Sequence, residues 1–427
     1  MLKNKTTKSP AYIILLLILA GEAVFILPFV LQRIFRPTFL EVFAINNVQI
    51  GSCFSVYGTV AFFSYFFGGP LADKFKPHLL MSVALILTAC GGFYLSTYPS
   101  LLNLHILYGF WGFTTIFLFW AAMIKATRIW GGTDKQGIAF GFLDGGRGLV
   151  AALFGSVGLI IFSLFITKDI ELTSFTERQE AFKQVIIYTS LAICVVSVFV
   201  YFFLKNLNPS EKNISISKPK LTFADFKIVM KIPSVWLLMI IILCAYYAYK
   251  MTDVFSLYAK DVMGYNDIES AKVGTYLLYM RPVIGVVIGL IADRTRASLW
   301  IVVGFFLMLV TSGIFASGII DDSSTLFFTL SIGTMAIGVY SARVLYFATL
   351  EEGKIPIALT GTAVGFISII GYTPDIFAGP LMGYFLDAHP GALGLQYTFG
   401  VMSIFAGVGL VAAYFLYRLP KRRTTKI

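Results

Sequence analysis

Twelve times along this chain, charged residues all but disappear for roughly twenty positions, the length of helix that crosses the hydrocarbon core of a bilayer. A backbone inside lipid has no water to bond, so each run must satisfy its own N–H and C=O groups as a helix. The runs lie near 11–34, 47–67, 78–98, 102–127, 137–167 and 184–204, then near 233–258, 268–291, 298–319, 324–350, 357–386 and 393–417. Only 13% of residues are charged and 58% are hydrophobic, whereas a soluble domain keeps about a quarter charged. The sequence therefore specifies an all-α membrane protein of twelve transmembrane helices.

The substantial polar interruption is 205–232, from Lys205 through Asn208-Pro209-Ser210 to Lys231. It divides the chain into a six-helix bundle at 1–204, a cytoplasmic linker at 205–232 and a second six-helix bundle at 233–427. Gly69-Pro70-Leu71-Ala72-Asp73-Lys74, between runs two and three, returns as Gly289-Leu290-Ile291-Ala292-Asp293-Arg294, 220 positions later. Ala139-Phe140-Gly141-Phe142 is echoed by Ala363-Val364-Gly365-Phe366, at an offset of 224. Six runs per half is an even number, so the halves share an orientation, as a parallel repeat requires.

Loop charges set the orientation. With the N-terminus inside, inner loops and tails carry 21 Lys and Arg, while the outer loops carry seven: Arg33, Arg36, Lys168, Arg178, Lys183, Lys260 and Lys272. Both termini are thus expected to be cytoplasmic. The run Ala11–Leu31 follows Lys3, Lys5 and Lys8 but is too long for a signal h-region and contains Glu22, so it reads as an uncleaved first helix. The net charge of +11 is scattered through short loops rather than gathered on one face, which argues against nucleic acid. Cys53, Cys90, Cys194 and Cys244 lie in apolar runs with no metal-binding spacing, and His78, His105 and His389 flank spans. Neither a metal site nor a cofactor site is expected.

The charged turns resemble the signature of the major facilitator superfamily, which runs Gly-x-Leu-Ala-Asp-Arg/Lys-x-Gly-Arg-Arg/Lys after the second span. Gly69, Leu71, Ala72, Asp73 and Lys74 match it, while Lys76 replaces the second Gly and Pro77 the next Arg. The second half keeps Gly289, Ala292, Asp293 and Arg294. The resemblance covers nearly the whole chain and implies that these residues form a cytoplasmic gate, with Asp73 and Asp293 latching the bundle ends in one state. The Gly-Pro motif that drug/proton antiporters carry in span 5 is absent from Gly141–Gly148. The Pro-Glu-Ser motif of sugar porters is absent from Leu207–Glu211.

An ionisable group at membrane depth costs at least ~2.5–3.5 kcal/mol, so each is a functional hypothesis. The acids are Glu22, Asp144, Asp253 and Asp375; the bases include Arg147, Lys250, Arg281 and Arg343. At about 1.5 Å of rise per residue, Arg147 and Arg281 fall some 15–20 Å into their spans, near the midplane. Asp144 and Arg147, like Lys250 and Asp253, are spaced i,i+3 and could pair locally. Arg281 has no acid within four residues. Its planar fork suits a carboxylate or phosphate. Gly145, Gly146 and Gly148 allow either close helix packing or substrate approach. Tyr246, Tyr247, Tyr249, Tyr276 and Tyr279 could line a polar cavity.

The expected function is a secondary active transporter moving a small organic anion by alternating access, coupled to protons. Substrate would be held by Arg147, Arg281, Glu22, Lys250 and Tyr279, and the coupling proton by Glu22, Asp253, Asp144 or Asp375. The alternatives are an amino-acid or zwitterion transporter, an efflux pump for amphipathic compounds, and a transport-like sensor. An enzyme is disfavoured, since there is no HExxH, GxSxG or Cys/His cluster. The expected partners are the anionic solute, the proton and the lipid bilayer, without nucleic acid. A monomer in a bacterial inner (plasma) membrane is expected.

Overall fold

The structure, a computed structural model, describes residues 10–131, 136–166, 174–206, 229–350, 352–355 and 360–419. Most of the 205–232 linker lies outside the described residues. The described chain is built of helices, numbered here in order. In the first half they are α1 (Ala11–Ile34), α2 (Arg36–Val42), α3 (Asn47–Lys74), α4 (Pro77–Leu95), α5 (Leu101–Gly131), α6 (Gln136–Leu164) and α7 (Phe175–Phe203). In the second half they are α8 (Pro233–Asp261), α9 (Asp267–Arg294), α10 (Ala297–Ser317), α11 (Thr325–Leu345), α12 (Thr360–Gly371), α13 (Pro374–Ala388) and α14 (Ala392–Arg418).

Ten of these are long and apolar enough to cross a membrane, and the pair α2/α3, bent by 100°, raises the number to 11. The remaining expected run, 357–386, is split into α12 and α13 around Tyr372 and Thr373. The cause is Pro374, which opens α13 and has no N–H to continue a helical ladder. Local sequence explains most other ends. Ser174 with Glu177, and Asn266 with Glu269, form capping boxes at the starts of α7 and α9. Gly318, at φ 74°, closes α10 in a left-handed turn. Wide π-type turns occupy Ile26–Val30 in α1 and Phe113–Trp120 in α5. The first contains Pro28, whose missing N–H favours such a widening.

Packing divides the chain into two compact units: unit 1 is Met1–Leu31 with Thr59–Ile216, and unit 2 is Gln32–Gly58 with Ser217–Ile427. In unit 1, Gly146 of α6 meets Ile18 of α1 so closely that a Cβ would collide with it. Gly145 and Gly141 have nothing within 4 Å of such a Cβ. One of these glycines is therefore explained by packing and the other two are not. Thr88 shares a 2.8 Å hydrogen bond with Thr114, and the Trp111 indole donates to the Thr88 carbonyl at 3.1 Å. Lys125 donates to the Ala72 carbonyl at 2.7 Å, placing a cation on the C-terminal end of α3, where the helix dipole is negative.

Unit 2 joins α8–α14 to the segment Gln32–Gly58 of the first half. The start of α3 lies in backbone contact with α13. A Cβ on Gly51 would fall on Gly379, one on Gly383 would fall on Asn47, and one on Gly58 would crowd Asp375. Ser55 Oγ donates to the Ile376 carbonyl. The α3 N-terminus is closed twice over. Asn46 and Gln49 bond reciprocally, at 2.9 and 2.8 Å. Asp387, at the end of α13, accepts from the Asn47 and Val48 amides at 2.9 and 2.6 Å, so a carboxylate sits on a positive helix end.

Gly383→Val is expected to lower stability by about 1–3 kcal/mol, the usual cost of overpacking a close contact. Gly400→Val, where a Cβ meets nothing within 4 Å, should be far milder. Thermal unfolding of both purified variants checks this; equal losses would contradict the backbone contact of α3 with α13.

Candidate functional site

The densest polar cluster of unit 2 forms around one aromatic ring. Tyr249, on α8, has the Arg343 guanidinium over its face at 3.7 Å from the ring centre, Arg33 at 4.6 Å and Arg281 at 5.9 Å. These arginines come from α11, the end of α1 and the middle of α9. Arg33 and Arg281 are each 3% exposed. Arg33 donates from Nε to Asp253 at 2.5 Å and from Nη1 to the Tyr249 hydroxyl at 2.8 Å. Ser256 Oγ and the backbone face of Gly274 seat the Arg33 carbonyl. Tyr340, three residues before Arg343 on α11, is fully buried among the same three charges. Its hydroxyl has no hydrogen-bond partner among the described residues.

Next to it, Lys250 bridges to Asp375 at 2.8 Å, and the Tyr246 hydroxyl donates to the same carboxylate at 2.9 Å. Lys250 also lies 5.8 Å from the Tyr246 ring centre, and Arg343 lies 5.7 Å from it. Tyr346 and Tyr372 share a hydroxyl contact of 3.1 Å. The i,i+3 spacing of Lys250 and Asp253 thus does not pair them: each finds its partner on another helix. Charges 3 and 4% exposed, as in Arg33–Asp253, survive burial only when paired and hydrogen-bonded.

In unit 1 the corresponding feature is a single pair. Arg147 Nε donates to Glu22 at 2.9 Å, with side chains 10% and 5% exposed. The guanidinium lies 5.3 Å from the Phe25 ring centre and 5.6 Å from that of Trp120. Here too the partner is on another helix, rather than Asp144 at i−3. Asp144 is half-buried on α6, and Tyr279 is half-buried on α9 beside Arg281.

The structure therefore brings Arg281, Lys250, Asp253 and Asp375 into one cluster and joins Glu22 to Arg147 in another unit. Of the tyrosines, Tyr246 and Tyr249 belong to the cluster. Tyr276 is 62% exposed and points away from the protein. Tyr247 stacks on Phe405 at 4.1 Å. Sequence reasoning leaves three members out of the expected site: Arg33, Arg343 and Tyr340. The loop-charge pattern puts Arg33 and Arg36 in an outer loop, yet both are buried, at 3% and 2%. The signal for Arg343 and Tyr340 is their i,i+3 spacing, one helix face, inside an apolar run.

A model of the Major Facilitator Superfamily matches residues 12–378. The chain belongs to this superfamily. It has the twelve-helix, two-bundle architecture of that superfamily and is a multi-pass membrane protein of a transporter family rather than an enzyme. Two Escherichia coli relatives are inner membrane proteins. YihN is 27% identical, covering 98% of this chain and 97% of the relative. YqcE is 24% identical, covering 92% and 91%. Among solved structures, the fold is shared with a bacterial homologue of the human lysosomal transporter Spinster in an inward-facing, unoccupied conformation. That match has a TM-score of 0.74 at 14% identity, over 96% of this chain and 97% of the other. It is shared also with the nucleoside transporter NupG, with a TM-score of 0.71 at 14% identity, over 96% and 99%.

At the superfamily's signature turns, the side chains of Asp73 and Asp293 and the surroundings of Gly69 lie outside the described residues. Lys74 and Arg294 are exposed. At the second turn the acid with described contacts is Glu352. It accepts from the Ser298 amide at 3.3 Å and from Ser298 Oγ, and it lies 3.4 Å from Arg296. A cavity of about 310 Å³ opens there, lined by Gly289, Thr295, Arg296 and Glu352. A Cβ on Gly289 would meet nothing within 4 Å.

Arg33→Met and Asp253→Leu are each expected to destabilise the protein by about 3–5 kcal/mol, because each strands a buried charge. The double variant should regain most of that loss. Thermal unfolding of the four proteins measures the coupling; losses that simply add would contradict the pairing.

Proposed function

We propose that this superfamily member is a secondary transporter of a small organic anion, working by alternating access and coupled to protons. The observation that carries the reading is the convergence of Arg33, Arg281 and Arg343 on the Tyr249 ring inside apolar helices. A cation carrier would gain nothing from concentrating positive charge in this way, while a zwitterion would use the same arginines for its carboxylate and the acids Asp253 and Asp375 for its ammonium group. Arg281 is the proposed primary ligand, with Lys250 beside it; Arg33 is anchored by Asp253 and Tyr249 and serves to position the ring.

Glu22 is the proposed proton carrier, with Asp253, Asp375 and Asp144 as further candidates. A proton on Glu22 would cancel its charge and release Arg147 from the 2.9 Å pair, linking protonation to a change in buried positive charge. The bundles at 1–204 and 233–427 are the proposed moving bodies, joined by the 205–232 linker. A monomer in an inner membrane, with both termini cytoplasmic, fits the inner bias of loop charge and the placement of the E. coli relatives.

Purified protein is expected to be stabilised by small organic anions in a thermal-shift panel. Arg281→Lys should weaken that binding about tenfold, because it keeps the charge but loses the fork, and Arg281→Ala should nearly abolish it. Uptake of the selected anion into proteoliposomes should rise with an inward proton gradient and lose that dependence in Glu22→Gln. Normal anion binding by both Arg281 variants would contradict the anion reading. Uptake indifferent to the gradient would replace symport with exchange.

A further inference from the structure

In unit 1, Arg147 is fixed along its length and open at its tip. Its stem passes Gly21 of α1, where a Cβ would lie 3.4 Å from Arg147 Cδ and 2.8 Å from Met123 Sδ. Its Nε donates to Glu22 at 2.9 Å. Its guanidinium lies over Phe25 and Trp120, 5.3 and 5.6 Å from their ring centres. The bond to Glu22 uses Nε alone, and Nη1 and Nη2 have no hydrogen-bond partner among the described residues. Those nitrogens form the forward edge of the planar fork, which can take both oxygens of a carboxylate.

Trp120 adds a second open donor. The indoles of Trp111, Trp130, Trp236 and Trp300 each donate a hydrogen bond, at 2.9–3.1 Å. The Trp120 N–H has no acceptor among the described residues, although the side chain is half-buried and a tryptophan so placed usually finds one. Phe25, also half-buried, packs edge-to-face on Trp120 at 6.2 Å. Both rings sit at π-type turns: Phe25 comes just before Ile26–Val30, and Trp120 ends Phe113–Trp120. Such turns shift the register of a helix face and are frequent at functional sites. A guanidinium tip and an indole N–H only donate, so their partner is an acceptor, and the charge of Arg147 favours an anionic one. Glu22 limits that anion, because a second negative charge on the ligand would face its carboxylate at low dielectric. The two rings, each partly accessible, offer faces and edges to a planar ring.

We infer that Arg147, Trp120 and Phe25 form a subsite of unit 1 for an aromatic monocarboxylate. The carboxylate lies on the Arg147 tip and the Trp120 N–H, and the ring of the ligand lies against Phe25 and the indole. The inference rests on the anion reading above and names the class of anion. Arg147 selects for the charge, Phe25 and Trp120 for the ring, and Glu22 against a second charge.

The test is calorimetry on the full-length purified protein at neutral pH, with benzoate, cyclohexanecarboxylate, benzamide and phthalate as probes. Cyclohexanecarboxylate keeps the charge and approximate size of benzoate but loses its planarity. Benzamide removes the charge, and phthalate adds a second. Benzoate is expected to bind several-fold more tightly than cyclohexanecarboxylate, the margin an aromatic contact adds, and about tenfold more tightly than benzamide or phthalate. Trp120→Leu and Phe25→Leu should shrink the margin over cyclohexanecarboxylate. Trp120→Phe keeps a ring and loses the N–H, so both carboxylates should weaken several-fold with the margin retained. Arg147→Lys keeps a cation for Glu22 but loses the fork, and should weaken both about tenfold. All variants are checked for monodispersity, and the ratio between two probes is a readout that a general loss of folding does not move. Cyclohexanecarboxylate binding as tightly as benzoate, or a margin unchanged in both Trp120→Leu and Phe25→Leu, overturns the subsite. Carboxylates that fail to bind while other small anions stabilise the protein also overturn it, and leave the anion reading standing. Benzamide binding as tightly as benzoate, with Arg147→Lys and Arg281→Lys both silent, overturns the two together.

Discussion

A buried charge in a lipid-facing protein must find an opposite charge or a hydrogen bond, and that demand organises this molecule. The ion pair of Arg33 with Asp253, at 2.5 Å and almost without exposure, is where it acts most strongly. Arg33 ends the first helix, after a π-type turn at Ile26–Val30, and is reached from α8 by Asp253, Tyr249 and Ser256. The pair therefore ties residues from the first half of the sequence into the packing of the second. Arg33 holds the Tyr249 ring, over whose face Arg343 lies at 3.7 Å and near which Arg281 lies at 5.9 Å. Remove the pair and the polar cluster loses its floor.

The same physics explains why glycines concentrate where they do. Between α3 and α13, Gly51, Gly379 and Gly383 let two backbones touch, as small residues do wherever helices must associate without a hydrophobic driving force. Asp387 then places a carboxylate on the α3 amides. Packing and electrostatics act on the same helix end. Unit 1 shows a smaller version of this arrangement: Gly146, next to Arg147, admits Ile18, one turn before Glu22.

Much of the fold is legible in the sequence because lipid leaves few choices: an apolar run of span length must be a helix, and the repeated Gly-x-x-Ala-Asp turn marks the duplication. The break at Tyr372–Thr373 is foreshadowed by Pro374, but the apolar run continues through it and reads as one span. The site is legible only in part. Arg147, Arg281, Lys250, Glu22, Asp253 and Asp375 stand out because charge is rare in spans. Their partners do not, since Lys250 joins Asp375 across 125 positions and Arg33 joins Asp253 across 220. Pairing between helices depends on which faces meet, which no local spacing encodes. Arg33 is hidden for a related reason: an arginine at the end of an apolar run looks like a loop charge until a second helix covers it.

Of the arginines over Tyr249, Arg33 is held by the Asp253 carboxylate, and Arg281 is the proposed ligand of an arriving anion, with Arg343 on the same ring. The guanidinium nitrogen resonances of arginine-labelled protein, assigned by single substitution and followed while inorganic sulfate is added, report on this division directly. The Arg281 and Arg343 signals are expected to move with sulfate while the Arg33 signal, locked by Asp253 and Tyr249, stays in place. A shift at Arg33 with none at Arg281 or Arg343 would contradict the proposal that Arg281 is the anion's ligand.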